Sequence, residues 1–181
     1  MILGRKFYSR STHIVAKELL GKILVHKCGK KILSGRIIET EAYGYRDDSA
    51  SHAHNGKTDR NYAMFGTVGV AYVYFTYGMH YCVNAVAYAK KNSAGAVLIR
   101  SILPMDGVTQ MIKNRSRCKN IADGPGKLTQ AMSISLDQYD QDLTKSGGLY
   151  VLNSDYSKRI IKRQRIGIRN AQDKLWNFTF H

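Results

Sequence analysis

Two short runs, Val70 to Thr76 and Tyr81 to Tyr88, are rich in tyrosine and valine and meet at Tyr77-Gly78-Met79. Runs of β-favouring residues on both sides of a glycine-bearing turn predict two antiparallel strands joined as a hairpin. A tyrosine sits at the predicted tip, where it has little of its own domain to pack on. Similar runs at Ile23 to His26 and Lys31 to Glu41, around a Cys28-Gly29-Lys30 turn, predict a second antiparallel pair, and Ala96 to Ile102 a further strand. Leu149 to Leu152 adds another after Gly147-Gly148.

Helices are expected outside this series. Ser11 to Leu20 reads as one, with Ser11 as cap, Ile14, Val15 and Leu19 on one side and Gly21 as its end. Pro104 and Gly107 precede another running to about Cys118, and Gly124-Pro125-Gly126 opens one over Lys127 to Met132. Strands linked by short turns, with helices apart from them, predict an α+β fold. The expected form is a single domain over residues 1–181, a curved antiparallel sheet flanked by helices with a protruding β-hairpin. The length of 181 residues suits one hydrophobic core.

The charge narrows the partners. There are 28 Lys plus Arg against 13 Asp plus Glu, a net +15, which favours a polyanion and salt-dependent phosphate contacts. Six cations fall between Lys158 and Arg169: Lys158, Arg159, Lys162, Arg163, Arg165 and Arg169. They form either a solvated strand face or a DNA contact. Three widely spaced cysteines make neither a disulfide framework nor a CxxC zinc site. No apolar run reaches the roughly 18 residues of a membrane span, and the N-terminus lacks a signal peptide's apolar core. An intracellular location is expected, cytoplasm or nucleoid in a prokaryote.

Candidate chemistry concentrates between Arg36 and Asn84. Glu39 and Glu41, two apart on one strand, are predicted to share a face. Glu41, at the strand-to-loop junction, is placed to face a pocket, deprotonate a water and stabilise positive charge on a sugar. Alone, such carboxylates are more often solvated charges on an exposed face. The loop from Ala42 to Gly66 carries Asp47, Asp48, His52 and His54. Glu39, Glu41, Asp47, His52 and His54 compose an alternative, a divalent-metal nuclease, although His-x-His with loose aspartates is a weak ligand pattern. Tyr72, Tyr81 and Tyr88 default to packing roles. Tyr77 instead suits insertion into a duplex, filling the gap left by an extruded nucleotide. Gly124-Pro125-Gly126-Lys127 lacks the spacing of a triphosphate loop, but a helix start beside a lysine suits one backbone phosphate.

Taken together, the segments Gly35-Arg36-Ile-Ile-Glu39-Thr-Glu41-Ala-Tyr43, Arg60-Asn61-x-x-Met64-Phe65, Val73-Tyr74-x-x-Tyr77-Gly78-Met79, Cys82-x-Asn84, Ala96-Val-Leu-Ile-Arg100, Gly124-Pro-Gly-Lys127-Leu128 and Arg165-Ile-Gly167-Ile168 resemble the 3-methyladenine (alkyladenine, methylpurine) DNA glycosylases. The resemblance implies a monofunctional enzyme. It would flip alkylated or deaminated purines from duplex DNA and hydrolyse the N-glycosidic bond, leaving an abasic site in base excision repair. Glu41 would be the general base, with Arg100 helping to position its water. Tyr43, His52 and Tyr74 would line the base pocket, with the backbone near Ala50 and His52 at the base edge and Asn84 disfavouring guanine's amino group. Tyr77 would be the wedge, with Met79, His80 and Lys127 contacting DNA. No metal or other cofactor is implied, and the expected state is a monomer on double-stranded DNA containing damaged purines. The chain departs from the family at His54, Asp59 and His80-Tyr81, and at Trp176-Asn177-Phe178, where members often carry Trp-Arg-Phe.

Overall fold

In the computed structural model, which describes residues 1–156 and 158–181, one eight-stranded antiparallel sheet curls into a half-barrel. Its strands are β1 (Ile23–Cys28), β2 (Lys31–Tyr43), β3 (Ala71–Thr76), β4 (His80–Val86), β5 (Ala96–Pro104), β6 (Leu149–Leu152), β7 (Ile160–Arg163) and β8 (Asn177–Phe180). The order is β3-β4-β5-β2-β1-β6, with β8 pairing on β2 and β7 on β8. The helices are α1 (Arg5–Tyr8), α2 (Thr12–Leu19), α3 (Val108–Arg115) and α4 (Pro125–Ala131). The expected α+β class with a curved sheet and a projecting hairpin is what is found.

β2 organises the rest. One edge pairs with β5 along most of its length; the other takes β1 near its start and β8 at Glu39–Glu41. A strand covered on both edges and both faces is buried regardless of residue polarity, and Thr40, Glu41 and Ala42 are all buried. α2 covers one face, tied down by the Thr40 hydroxyl donating to the Ala16 carbonyl at 2.7 Å. Register irregularities flank Glu39, yet Glu39 and Glu41 still turn to a common side, as period two predicts.

Two expectations for α2 fail. Ser11 holds the cap position, but its hydroxyl bonds the His13 ring at 3.0 Å rather than a helix N–H. Ile14 lies outside the buried stripe, at 39% exposure, and Thr12, Val15, Ala16 and Leu19 fill it. The sheet fixes which stripe is buried, and the Thr12 hydroxyl is drawn in because the Ala87 carbonyl accepts from it at 2.8 Å. α3 stops at Arg115 rather than near Cys118, because Ser116 turns into the left-handed region at φ 51°. β4 ends at Val86, short of Tyr88, whose hydroxyl instead donates to the Gly66 carbonyl. α1 and β8 have no counterpart in the sequence reading.

The β3–β4 hairpin projects at the far edge, with Thr76 opposite His80. Tyr77 and Gly78 both take positive φ, 52° and 66°, the pattern of the tight turn that suits strand twist. For tyrosine this conformation costs on the order of 1–2 kcal/mol. Nothing packs on it in return, since Tyr77 is 82% exposed and Met79 68%. At the hairpin base His80 lies against α4. A Cβ on Gly126 would sit 2.9 Å from the His80 ring, so glycine there permits the contact.

Candidate active site

A pocket of ≈ 380 Å³ opens on the face of β2–β5 away from α2. Its walls come from four places: the strands supply Tyr43, Tyr74, Asn84 and Arg100, the loop after β2 supplies Ala50 and His52, the hairpin tip adds Tyr77, and Ile166–Asn170 closes the remaining side. Residues expected to line a base pocket are therefore brought together.

Glu41 is behind this pocket rather than on its surface. Its side chain is fully buried, and four donors surround it. Oε1 accepts from the Ile166 backbone N–H at 2.7 Å and from Asn177 Nδ2 at 3.0 Å. Oε2 accepts from the Tyr43 hydroxyl at 2.8 Å and Arg100 Nη1 at 3.2 Å. Tyr43, Arg100 and Ile166 line the pocket, so Glu41 meets it only through them. The expectation that Glu41 opens directly onto a cavity is corrected accordingly. A buried carboxylate is tolerable because each oxygen is satisfied and a guanidinium is in contact.

Tyr43 is held from behind. The Arg165 guanidinium lies 4.7 Å from its ring centre and makes a bidentate pair with Asp48 at 2.6 and 2.7 Å, both side chains being fully buried. Arg165 also donates to the Ala42 carbonyl at 2.9 Å. Asp48 in turn accepts the Gly44 and Ala50 N–H groups. Burial raises the Tyr43 hydroxyl's pKa well above the phenol range, with the Glu41 charge adding to it. Arg165 is thus no DNA cation; the loop after β2 is ordered around it. The Ala50 N–H is spent on Asp48 and the His52 carbonyl on Asn61 at 2.7 Å.

Opposite Tyr43, aromatic rings cluster. His52 meets Tyr74 edge-on with centroids 4.6 Å apart, and Tyr72 lies 5.4 Å from Tyr74. The Tyr72 hydroxyl and His52 Nδ1 are 2.8 Å apart. The Asn84 side chain donates to the Tyr72 carbonyl at 2.9 Å, which fixes its amide plane at the pocket wall. Cys82, buried beside Tyr74, has its thiol pKa pushed up by desolvation.

His52 reaches solvent at the rim, yet its pKa is lowered, first by the protein that displaces water around it and then by the Arg60 charge. Its titration midpoint, followed by NMR of the ring protons, is expected below the ordinary 6.5 and to rise in Arg60→Gln. The sign follows for stability. The folded state binds this proton less readily than the unfolded one, so the contribution is full above pH 6.5 and declines as pH falls below it.

The five residues of the nuclease alternative form no metal site: Asp47 is a surface group near Lys174, and no group of three or more His, Cys, Asp or Glu is placed to hold a metal ion among the described residues. The other loop aspartate, Asp48, is sealed against Arg165. Lys127 is half-buried at the start of α4, paired with Asp123 at 2.9 Å. No helix among the described residues is long and apolar enough to cross a membrane.

Three residues around Glu41 and Tyr43 had no site role in the sequence reading: Asn177, Ile166 and Arg165 in its buried role. The matching segment Arg165-Ile-Gly167-Ile168 and the departure at Trp176-Asn177-Phe178 were the local signals that pointed there.

Comparison with known proteins agrees with this geometry. The family model described as "Methylpurine-DNA glycosylase (MPG)" matches residues 6–181. A protein from Clostridium tetani is 42% identical over 193 residues, covering 98% of this chain and 95% of its own length. One from Carboxydothermus hydrogenoformans is 43% identical over 182 residues, covering 98% and 94%. One from Francisella tularensis subsp. tularensis is 44% identical over 169 residues, covering 90% and 86%. All three carry the name "Putative 3-methyladenine DNA glycosylase". With a pocket of aromatic rings backed by a buried glutamate and an arginine, and relatives matching nearly end to end, the chain belongs to the methylpurine-DNA glycosylase family.

Proposed function

We propose that the protein excises alkylated purines from duplex DNA by monofunctional hydrolysis, leaving an abasic site. The observation that carries this reading is the juxtaposition of Glu41 and Arg100 behind an aromatic pocket. Their contact, at 3.2 Å, is longer than the 2.7–2.9 Å of a tight charge-assisted pair. In this reading Tyr43 or Arg100 moves off Glu41 Oε2 when the pocket fills, so that a water held by Arg100 donates to that oxygen. As the bond between C1′ and the base nitrogen breaks, its electron pair goes to the base. The water oxygen attacks C1′, and its proton passes to Glu41. The carboxylate also stabilises the positive charge that builds on the sugar.

An N3- or N7-alkylated purine is already cationic and leaves neutral, so it needs no proton donor. A deaminated purine such as hypoxanthine needs one, and the pocket is poor in acids at neutral pH. Burial keeps the Tyr43 and Tyr74 hydroxyls protonated, and His52 is depleted of its proton. Stacking against tyrosine favours an electron-poor base further. In this reading the exposed tip of the hairpin enters the duplex, Tyr77 taking the place of the extruded nucleotide.

The reading is tested with labelled duplexes, alkylated throughout or carrying one hypoxanthine, incubated in excess EDTA and run with and without hot alkali. Strand breaks in the alkylated duplex that require alkali and survive EDTA are the expected result, with slower release of hypoxanthine. Breaks that appear without alkali and disappear in EDTA would overturn it in favour of a metal nuclease. Separately, Tyr77→Ser is expected to reduce nucleotide extrusion, read with a fluorescent base analogue, without lowering the unfolding temperature. Unchanged extrusion would remove Tyr77 as the wedge.

A further inference from the structure

Behind the pocket two carboxylates stand side by side, and a single amide holds both. Asn177 Nδ2 lies 2.8 Å from Glu39 Oε1 and 3.0 Å from Glu41 Oε1. From β5, Arg100 spans the same pair, Nε to Glu39 at 3.3 Å and Nη1 to Glu41 at 3.2 Å. Two anions therefore share one guanidinium in a place almost closed to water, with Asn177 itself buried. Like charges this close oppose each other's ionisation unless donors are aimed at both. The Asn177 amide is such a donor, delivered by the register of β8, in which Asn177 lies opposite Glu41 and Thr179 opposite Glu39.

We propose that Asn177 is a positioning residue for the glycosylase reaction, its amide bridging Glu39 and Glu41 and pinning Glu41 Oε1 so that Oε2 is turned to Arg100. The inference rests on the reading of Glu41 as the base. Other groups facing Glu41 are few. Tyr43 follows it on β2, and Cys82 approaches from β4; burial raises the pKa of both hydroxyl and thiol. The Arg165–Asp48 pair lies behind Tyr43 and is internally neutralised. On β7, Arg163 is the strand neighbour of Asn177 and is exposed.

Asn177→Leu has the same branching, removes the amide and keeps the β8 backbone. In single-turnover excision of an alkylated base, it is expected to lower the maximal rate by about tenfold or more, the worth of one hydrogen bond to a charged group, while lesion-containing duplex binds as before. A merely structural role would weaken duplex binding and lower the unfolding temperature along with the rate; that result overturns the proposal, as does an unchanged rate. If Asn177→Leu unfolds at the assay temperature, Asn177→Ser, too short to reach both carboxylates, takes its place with the same expected loss of rate. Glu41→Gln, run alongside, separates the two failures. If it retains turnover, the base reading falls; if it is inactive and the Asn177 variant keeps its rate, only the positioning role falls.

Discussion

Glu41→Gln is expected to lower the single-turnover excision rate by about 10²–10⁴-fold, the range a positioned general base supplies, while lesion-containing duplex binds as before. Glutamine preserves the shape. Its carbonyl oxygen accepts from the Ile166 N–H and Asn177, and its amide is left facing the Tyr43 hydroxyl, which turns to accept, and Arg100, which has no acceptor. Arg100 keeps Glu39 as a partner. The fold is therefore expected to survive, so lost turnover reflects lost chemistry. The measurements are excision rate, duplex affinity and unfolding temperature on one preparation. Near-wild-type turnover would remove Glu41 as the base.

The second large effect concerns a pair outside the proton-transfer path. Arg165→Met is expected to destabilise the protein by about 3–5 kcal/mol, because it leaves the Asp48 carboxylate buried without its cation. Only the Gly44 and Ala50 N–H groups would then remain to Asp48, the second at 3.3 Å. The same change frees the Ala42 carbonyl and the far face of Tyr43, and loosens the segment that carries the Ile166 N–H to Glu41. Activity is therefore expected to fall even at temperatures where the variant is folded. Combining it with Asp48→Asn removes the stranded charge, so the double variant is expected to lose less stability than the two single losses added together. Strict additivity in urea unfolding would mean the two side chains do not act as a pair.

Some of this architecture is written locally and some is not. The β3–β4 hairpin follows from two β-rich runs meeting at Tyr77-Gly78-Met79, and Gly78 supplies one of the two positive φ values the turn requires. Pro125 opens α4 because its missing N–H is harmless in a first turn. Glu39 and Glu41 share a side because they lie two apart on a strand. Arg165 is the opposite case. Among six cations in twelve residues it looks like its neighbours, and only Asp48, 117 positions earlier, makes it a buried structural residue. β8 is equally silent: four residues acquire strand character by pairing with β2 and β7. Ile14 shows the limit of helical periodicity, which marks an amphipathic segment but leaves the sheet to choose which stripe is covered.

The antiparallel pairing of β8 on β2 has a consequence for biosynthesis. Two of the four groups that hold Glu41, Ile166 and Asn177, lie 125 and 136 positions downstream of it. A chain emerging from the ribosome can form β1 to β6 while the proposed reaction centre is still missing half its donors, and chains fold progressively as they are made. The arrangement around Glu41 is thus completed only after β8 has been made and slots in beside β2. A protease that nicks the molecule between β6 and β7 would be expected to disarm it while leaving most of the sheet standing.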